Sequence, residues 1–214
     1  MKTLLLKFAG PLQSWGTNSH FESRYTDFYP SKSAVIGIIA ASFGYGRDED
    51  IKIQQLNELD FALRIDQPGK LLRDFHIAQK LKDNGDFDKN YVTNRYYLED
   101  AVFLVAISHN DETFMNKIAE ALKNPYFQPF LGRRSLPPNY DFIVDIIDEE
   151  PVNILKNYSW QAAEWYQKKY KKEKIGLEIF ADSNLLENSP KTLRKDRVIS
   201  FSQKERKFAF RYES

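Results

Sequence analysis

Tyr29-Pro30-Ser31-Lys32-Ser33 leads into an apolar run, and its residue types are those that hold an oxyanion. Pro30-Ser31 is a helix-start signal. Ala34, Val35, Ile38, Ile39 and Phe43 then recur at helical spacing as one core face, and Gly44 follows as a stop. A helix starting there offers unpaired backbone N–H groups, with the Ser31 and Ser33 hydroxyls and the Lys32 ammonium beside them. Such a setting suits a phosphate. Just upstream, Arg24-Tyr25-Thr26 adds a guanidinium able to grip a phosphate through two hydrogen bonds. The structural alternative is an ordinary capped core helix.

Three further clusters carry polar chemistry. Gly10-Pro11-Leu12-Gln13-Ser14-Trp15-Gly16 offers an amide at Gln13 and a stacking surface at Trp15, or else a turn with Trp15 as a buried plug. Leu72-Arg73-Asp74-Phe75-His76 is complemented by Arg95-Tyr96-Tyr97. A lone histidine such as His76 is more often structural than catalytic, and no nucleophile–base pair lies near it in sequence. Phe130-Leu131-Gly132-Arg133-Arg134-Ser135 is a glycine-arginine turn that serves as a backbone anchor or an anion contact. The Lys168-Lys169-Tyr170-Lys171-Lys172 run reads as a solvated helix face, a basic nucleic-acid contact being the alternative. There is no Walker loop, dinucleotide fingerprint or His/Glu metal spacing, so neither a cofactor nor a metal is expected.

The elements that position these clusters follow from composition and pattern. Of 214 residues 42% are hydrophobic, enough for one large domain or a domain with an appendage. Lysine and arginine total 31 against 30 acidic residues. A net charge of +1 argues against non-specific coating of nucleic acid but permits local basic patches. Without cysteine there are no disulfides and no cysteine-ligated metal centres. The apolar run near the N-terminus is far shorter than a signal peptide or a membrane span requires, so a soluble, cytoplasmic protein is expected.

Thr3 to Phe8 reads as a buried strand, Ser31 to Phe43 as the helix, and Phe61, Leu63 and Ile65 as the inward face of a half-buried strand. Leu71 to Ala78 is extended, and polar Lys80 to Asn94, with Asn84-Gly85-Asp86 as its turn, reads as a protruding hairpin. Ala101 to Ile107 has the continuous apolar character of a strand buried on both faces. Asp111 caps a second helix ended by Asn124-Pro125, and Phe142 to Ile147 is a last strand. The order β-α-β-(hairpin)-β-α-β predicts an α+β, ferredoxin-like domain over residues 1–150, the fold shared by RNA-recognition modules. Beyond it, 151–214 reads as a small α+β appendage, with a helix over Tyr158 to Glu173 and strands near Ile175 to Ala181, Arg197 to Phe201 and Lys207 to Tyr212.

Taken in order, Gly10 to Gly16, Arg24 to Thr26, Pro30 to Gly37, Leu72 to His76 and Phe130 to Ser135 resemble the CasD family of CRISPR-associated proteins. These are crRNA 5′-handle-binding subunits of type I-E Cascade, within the repeat-associated mysterious protein superfamily. The resemblance spans nearly the whole chain and weakens after Glu150. It implies an RNA-recognition-like fold whose β-hairpin thumb lies at about 79–99. It also implies a non-catalytic subunit that caps the crRNA handle and contacts the adjacent backbone subunit and the large PAM-reading subunit. Target DNA is met through the complex, and no membrane is involved. By motif, Arg24, Ser31, Lys32 and Ser33 become handle-phosphate ligands, and Gln13 and Trp15 part of the same groove. Arg95 becomes a thumb arginine at the handle–spacer junction. Arg73, His76, Arg133 and Arg134 complete the RNA-binding set. The alternative is a metal-independent endoribonuclease, as in type I-C relatives that use a tyrosine, a lysine and a histidine. Here Phe75 precedes His76, so that subtype's adjacent Lys-His pair is missing.

Overall fold

The protein is described by a computed structural model covering residues 1–16, 22–171, 173, 175–186 and 188–214. In chain order come β1 (Lys2–Ala9), β2 (Leu12–Gln13), β3 (Ser23–Arg24), α1 (Lys32–Phe43), α2 (Asp50–Gln55) and β4 (Asp60–Gln67). Next are β5 (Lys70–Leu81), β6 (Phe87–Glu99), β7 (Val102–His109), α3 (Glu112–Lys123) and β8 (Ile143–Ile147). Then follow α4 (Pro151–Asn157), α5 (Glu164–Lys169), β9 (Ile179–Ala181), β10 (Thr192–Ser200) and β11 (Lys207–Glu213).

The central sheet runs β8-β1-β7-β4-β9 with every pair antiparallel. Its first four strands stand in the order a split βαβ chain requires, because β7 slots between β1 and β4. The apolar run on β7 is buried on both faces, as its composition predicts. Phe103, Val105 and Ile107 join Leu4, Leu6 and Phe8 beneath α1 and α3. Leu104 and Ala106 join Leu5, Ala62 and Leu155 on the other side.

Local signals set the helix ends. Ser31 is the N-cap of α1, accepting from the Ala34 N–H, and Gly44 takes the left-handed conformation at its C-terminus with φ +77°. Asp111 caps α3 by accepting from the Thr113 and Phe114 N–H groups.

Four expectations need correction. The hairpin is longer than its polar tip suggested. Its ladder starts at Lys70 opposite Glu99 and ends at Leu81 opposite Phe87, so the extended Leu71–Ala78 segment is its outgoing arm. The α1 helix is buried beyond its one predicted face, since Val198 and Phe201 from the C-terminal region pack on it as well. The alternate residues of β4 are also covered. Arg64 is 2% exposed, bridges to Asp66 at 2.6 Å, and donates to the carbonyls of Leu155, Tyr158 and Ser159. That clamp holds the chain after α4 against the sheet, and there the predicted helix over 158–173 gives way to an irregular stretch and the short α5. Within 151–214, β9 is the fifth strand of the central sheet and Ala181 belongs to its core.

Candidate nucleic-acid interface

Strand register builds the site. Beside the hairpin, β3 runs parallel to β6 with Arg24 against Arg95, while β5 places Asp74 opposite Arg95. Residues paired this way share one face of the sheet. Asp74 does not neutralise Arg95. One of its oxygens accepts from the Phe75 N–H at 2.7 Å and the other lies 4.0 Å from His76 Nε2. The third arginine arrives from the turn after α3. Gly132 makes that turn at φ +89°, and a Cβ there would sit 1.6 Å from the Ser14 carbonyl oxygen, so only glycine fits. Arg133 is thereby laid 4.1 Å over the Tyr97 ring, donating from Nη2 to the carbonyls of Arg24 and Tyr96 at 3.0 Å each.

Among the described residues none of Arg24, Arg95 and Arg133 has an ion-pair partner, and Arg95 Nε and Arg133 Nη1 are buried without a hydrogen-bond acceptor. Burial lowers the pKa of Arg133. Tyr97 opposes that shift, and the like charges of Arg95 and Arg24 add to it. Arginine stays protonated regardless, so the cluster holds three mutually repelling guanidinium groups. A phosphate placed among them relieves that repulsion and supplies the missing acceptors. Arg134 is exposed next to Arg133. Farther out on this face His76 is about half exposed, whereas Arg73 pairs with Tyr96 on the opposite face and donates twice to Asn94 Oδ1.

The other predicted ligands turn inward. Gln13 is fully buried; its amide donates to the carbonyls of Phe8 and Ala101 and accepts from Trp15 Nε1. Trp15 is 2% exposed and stacks on Phe8, so it is the buried plug and offers no platform to a base.

At the start of α1 the anion is the protein's own. Asp196 accepts from the Lys32 N–H at 2.9 Å, Asp182 takes the Lys32 ammonium at 2.8 Å, and Ser31 and Ser33 hydrogen-bond to each other. Ser31 and Lys32 are both buried. The helix start is therefore a docking point for the C-terminal chain, contrary to the expectation of an open phosphate site.

Asp182 and Asp196 are shared with Arg211, which also binds Glu213, while Arg194 joins Glu213 to Asp27. Tyr29 donates to Glu213 at 2.8 Å, and burial pushes its phenol from near 10 up to about 12, with Arg194 opposing. The folded phenol holds its proton more tightly than the unfolded one. Its contribution is thus intact below pH 10 and is lost as pH rises through about 12. Unfolding titrations should show stability falling across that window more steeply in the native protein than in Tyr29→Phe.

Sequence reading missed the opposite face of the hairpin. Tyr96 stacks on Tyr25 with ring centroids 5.1 Å apart, and Phe75, Ile77 and Val92 follow as an exposed apolar stripe. The period-two alternation from Leu71 to Ile77 carries the signal, but only the register with β6 shows which face it marks. His20 lies outside the described residues, as do Lys172 and the rest of 17–21.

An antiparallel split-βαβ sheet with a long hairpin and unpaired arginines at its base defines an α+β protein of RNA-recognition-like architecture. The family model for CRISPR-associated protein Cas5 matches residues 3–212. The chain belongs to that family. It is 31% identical over 170 residues to the CRISPR system Cascade subunit CasD of Escherichia coli (strain K12), covering 72% of this chain and 76% of that protein. A chain of a solved CRISPR RNA-guided surveillance complex superposes with a TM-score of 0.80 at 31% identity, over 99% of this chain and 88% of that one. A crystal structure of a Cas protein matches with a TM-score of 0.70 at 29% identity, over 99% and 92%. No helix among the described residues is long and apolar enough to cross a membrane.

Proposed function

We propose that this chain is a non-catalytic subunit of a type I-E Cascade that binds and caps the 5′ handle of crRNA. In that role it contacts the adjacent backbone subunit and the large PAM-reading subunit, and it meets target DNA through the complex, in antiviral defence in the cytoplasm. The observation that carries the reading is the unneutralised cluster of Arg24, Arg95 and Arg133 at the base of the hairpin. Its likeness to CasD over most of the chain supports the same role. The RNA-binding set becomes Arg24, His76, Arg95, Arg133 and Arg134 on one side of the hairpin, with Arg73 on the other face beside the stacked pair of Tyr25 and Tyr96.

A second reading, a metal-independent ribonuclease, rests on the register. His76 opposite Thr93, Ala78 opposite Tyr91 and Lys80 opposite Lys89 put His76, Tyr91 and Lys89 on one face. The Lys89 ammonium lies 4.8 Å from the Tyr91 ring centroid. That face is largely open to water, whereas acid–base catalysis on phosphate gains most in a site that excludes it.

A fluorescent RNA carrying the repeat-derived handle tests both. The purified protein should bind it more tightly than a spacer RNA of equal length and leave it intact in EDTA. Equal affinity for the two RNAs overturns the handle reading; cleavage abolished by His76→Ala establishes the ribonuclease.

A further inference from the structure

The C-terminal hairpin presents a surface that the handle site does not use. Its inner face is consumed by charge pairing, with Asp196 and Glu213 both buried and held by Arg211 and Arg194. Its outer face is exposed. On β10 it carries Leu193 and Lys195; beyond them the ladder shifts register, so that exposed Arg197 pairs with Ala209, while Asp196, Val198 and Ser200 are buried. On β11 it carries Phe210 and Tyr212. Leu193 lies opposite Tyr212, and Leu193, Phe210 and Tyr212 are 60%, 60% and 56% exposed. The Lys195 ammonium stands 5.8 Å from the Phe210 ring centroid, and exposed Lys191 flanks the start of the strand. The remaining described carboxylate of the hairpin, Glu205, sits beyond the ladder and pairs with Lys207.

We infer that this outer face is a second nucleic-acid site, taking a single strand whose bases stack on Phe210 and Tyr212 while Lys191 and Lys195 hold its phosphates. Two open rings on adjacent same-side strand positions, about 6.8 Å apart, form a platform for flat ligands. Two cations, with no carboxylate among the described residues of that face, select a polyanion. An acidic protein segment satisfies the cations but leaves the rings without partners, whereas a single strand satisfies both. The buried ion network on the inner face fixes the hairpin beforehand, so little ordering is required on binding.

The test uses the full chain carrying Arg24→Ala and Arg95→Ala, so that a failure of the handle reading leaves the result unaffected. Fluorescent dT15 and rU15 are titrated separately by anisotropy. Binding in either arm supports the site, and the tighter arm identifies its strand. Phe210→Ala and Tyr212→Ala should each weaken binding about fivefold or more. Lys191→Ala with Lys195→Ala should lower the salt slope by about 1.4. Ultraviolet crosslinking of the parent protein, free of substitutions in this hairpin, should mark the peptide holding Phe210 and Tyr212. The proposal fails if neither oligonucleotide binds, if the ring substitutions leave affinity unchanged, or if the crosslinks map elsewhere. It fails equally if polyglutamate of matched charge displaces the oligonucleotide as well as unlabelled dT15 or rU15 does.

Discussion

Replacing Asp196 with alanine is expected to destabilise the protein by about 3–5 kcal/mol, the range found when one member of a buried charge network is removed. Asp196 is fully buried and accepts from Arg211 Nε at 2.7 Å, from Arg211 Nη2 at 3.1 Å and from the Lys32 N–H at 2.9 Å. Its loss leaves the Arg211 guanidinium short of its principal acceptor and the Lys32 N–H in the first turn of α1 without one. For a chain of this size the melting temperature should fall by roughly 6–20 °C. Asp196→Asn keeps an oxygen for the Lys32 N–H and should lose less. A melting temperature within about 3 °C of the native value would mean that the helix start does not depend on this carboxylate, and would restore it as a candidate anion site.

Removing Arg24 and Arg95 together should do the reverse: leave stability nearly unchanged and weaken binding of handle RNA at least tenfold. Neither guanidinium has a carboxylate partner among the described residues, and their removal relieves repulsion on Arg133. Substitutions that break no ion pair or hydrogen bond of the core stay within about 0.5 kcal/mol. Each lost phosphate contact on single-stranded RNA lowers the slope of log affinity against log salt by about 0.7, so the double variant should lose about 1.4. Anisotropy titrations at several salt concentrations, alongside thermal melts, separate the two effects. Native-like affinity with an unchanged slope removes the cluster from the RNA site.

The two expectations divide the site along a line that the sequence does not draw. Lys32 and Arg24 both look like phosphate ligands in sequence, because residue type and local spacing are the same sort of signal in each. The difference is made by Asp182 and Asp196, 150 and 164 positions downstream of Lys32. They bury one cation and leave the other open. Gln13 and Trp15 likewise have the right types for a base groove, yet they turn inward, Gln13 bridging the carbonyls of Phe8 and Ala101 and Trp15 stacking on Phe8.

What the sequence by itself determines here is whatever short-range physics controls. Helical spacing and the caps at Ser31, Gly44 and Asp111 fix α1 and α3. The doubly buried apolar run fixes β7 as a central strand, and Asn84-Gly85-Asp86 fixes the hairpin turn, with Gly85 at φ +87°. Those signals suffice for the β-α-β-β-α-β order because each depends on neighbours within a turn or two of the chain. Tertiary structure decides which faces are covered and which charges are spent. It seats β9 at the edge of the central sheet, lays β10 over α1, and carries Arg133 from the turn after α3 to Tyr97 at the base of the hairpin. Each of these depends on a partner distant in sequence, and burial of a cation is favourable only where such a partner supplies the opposite charge.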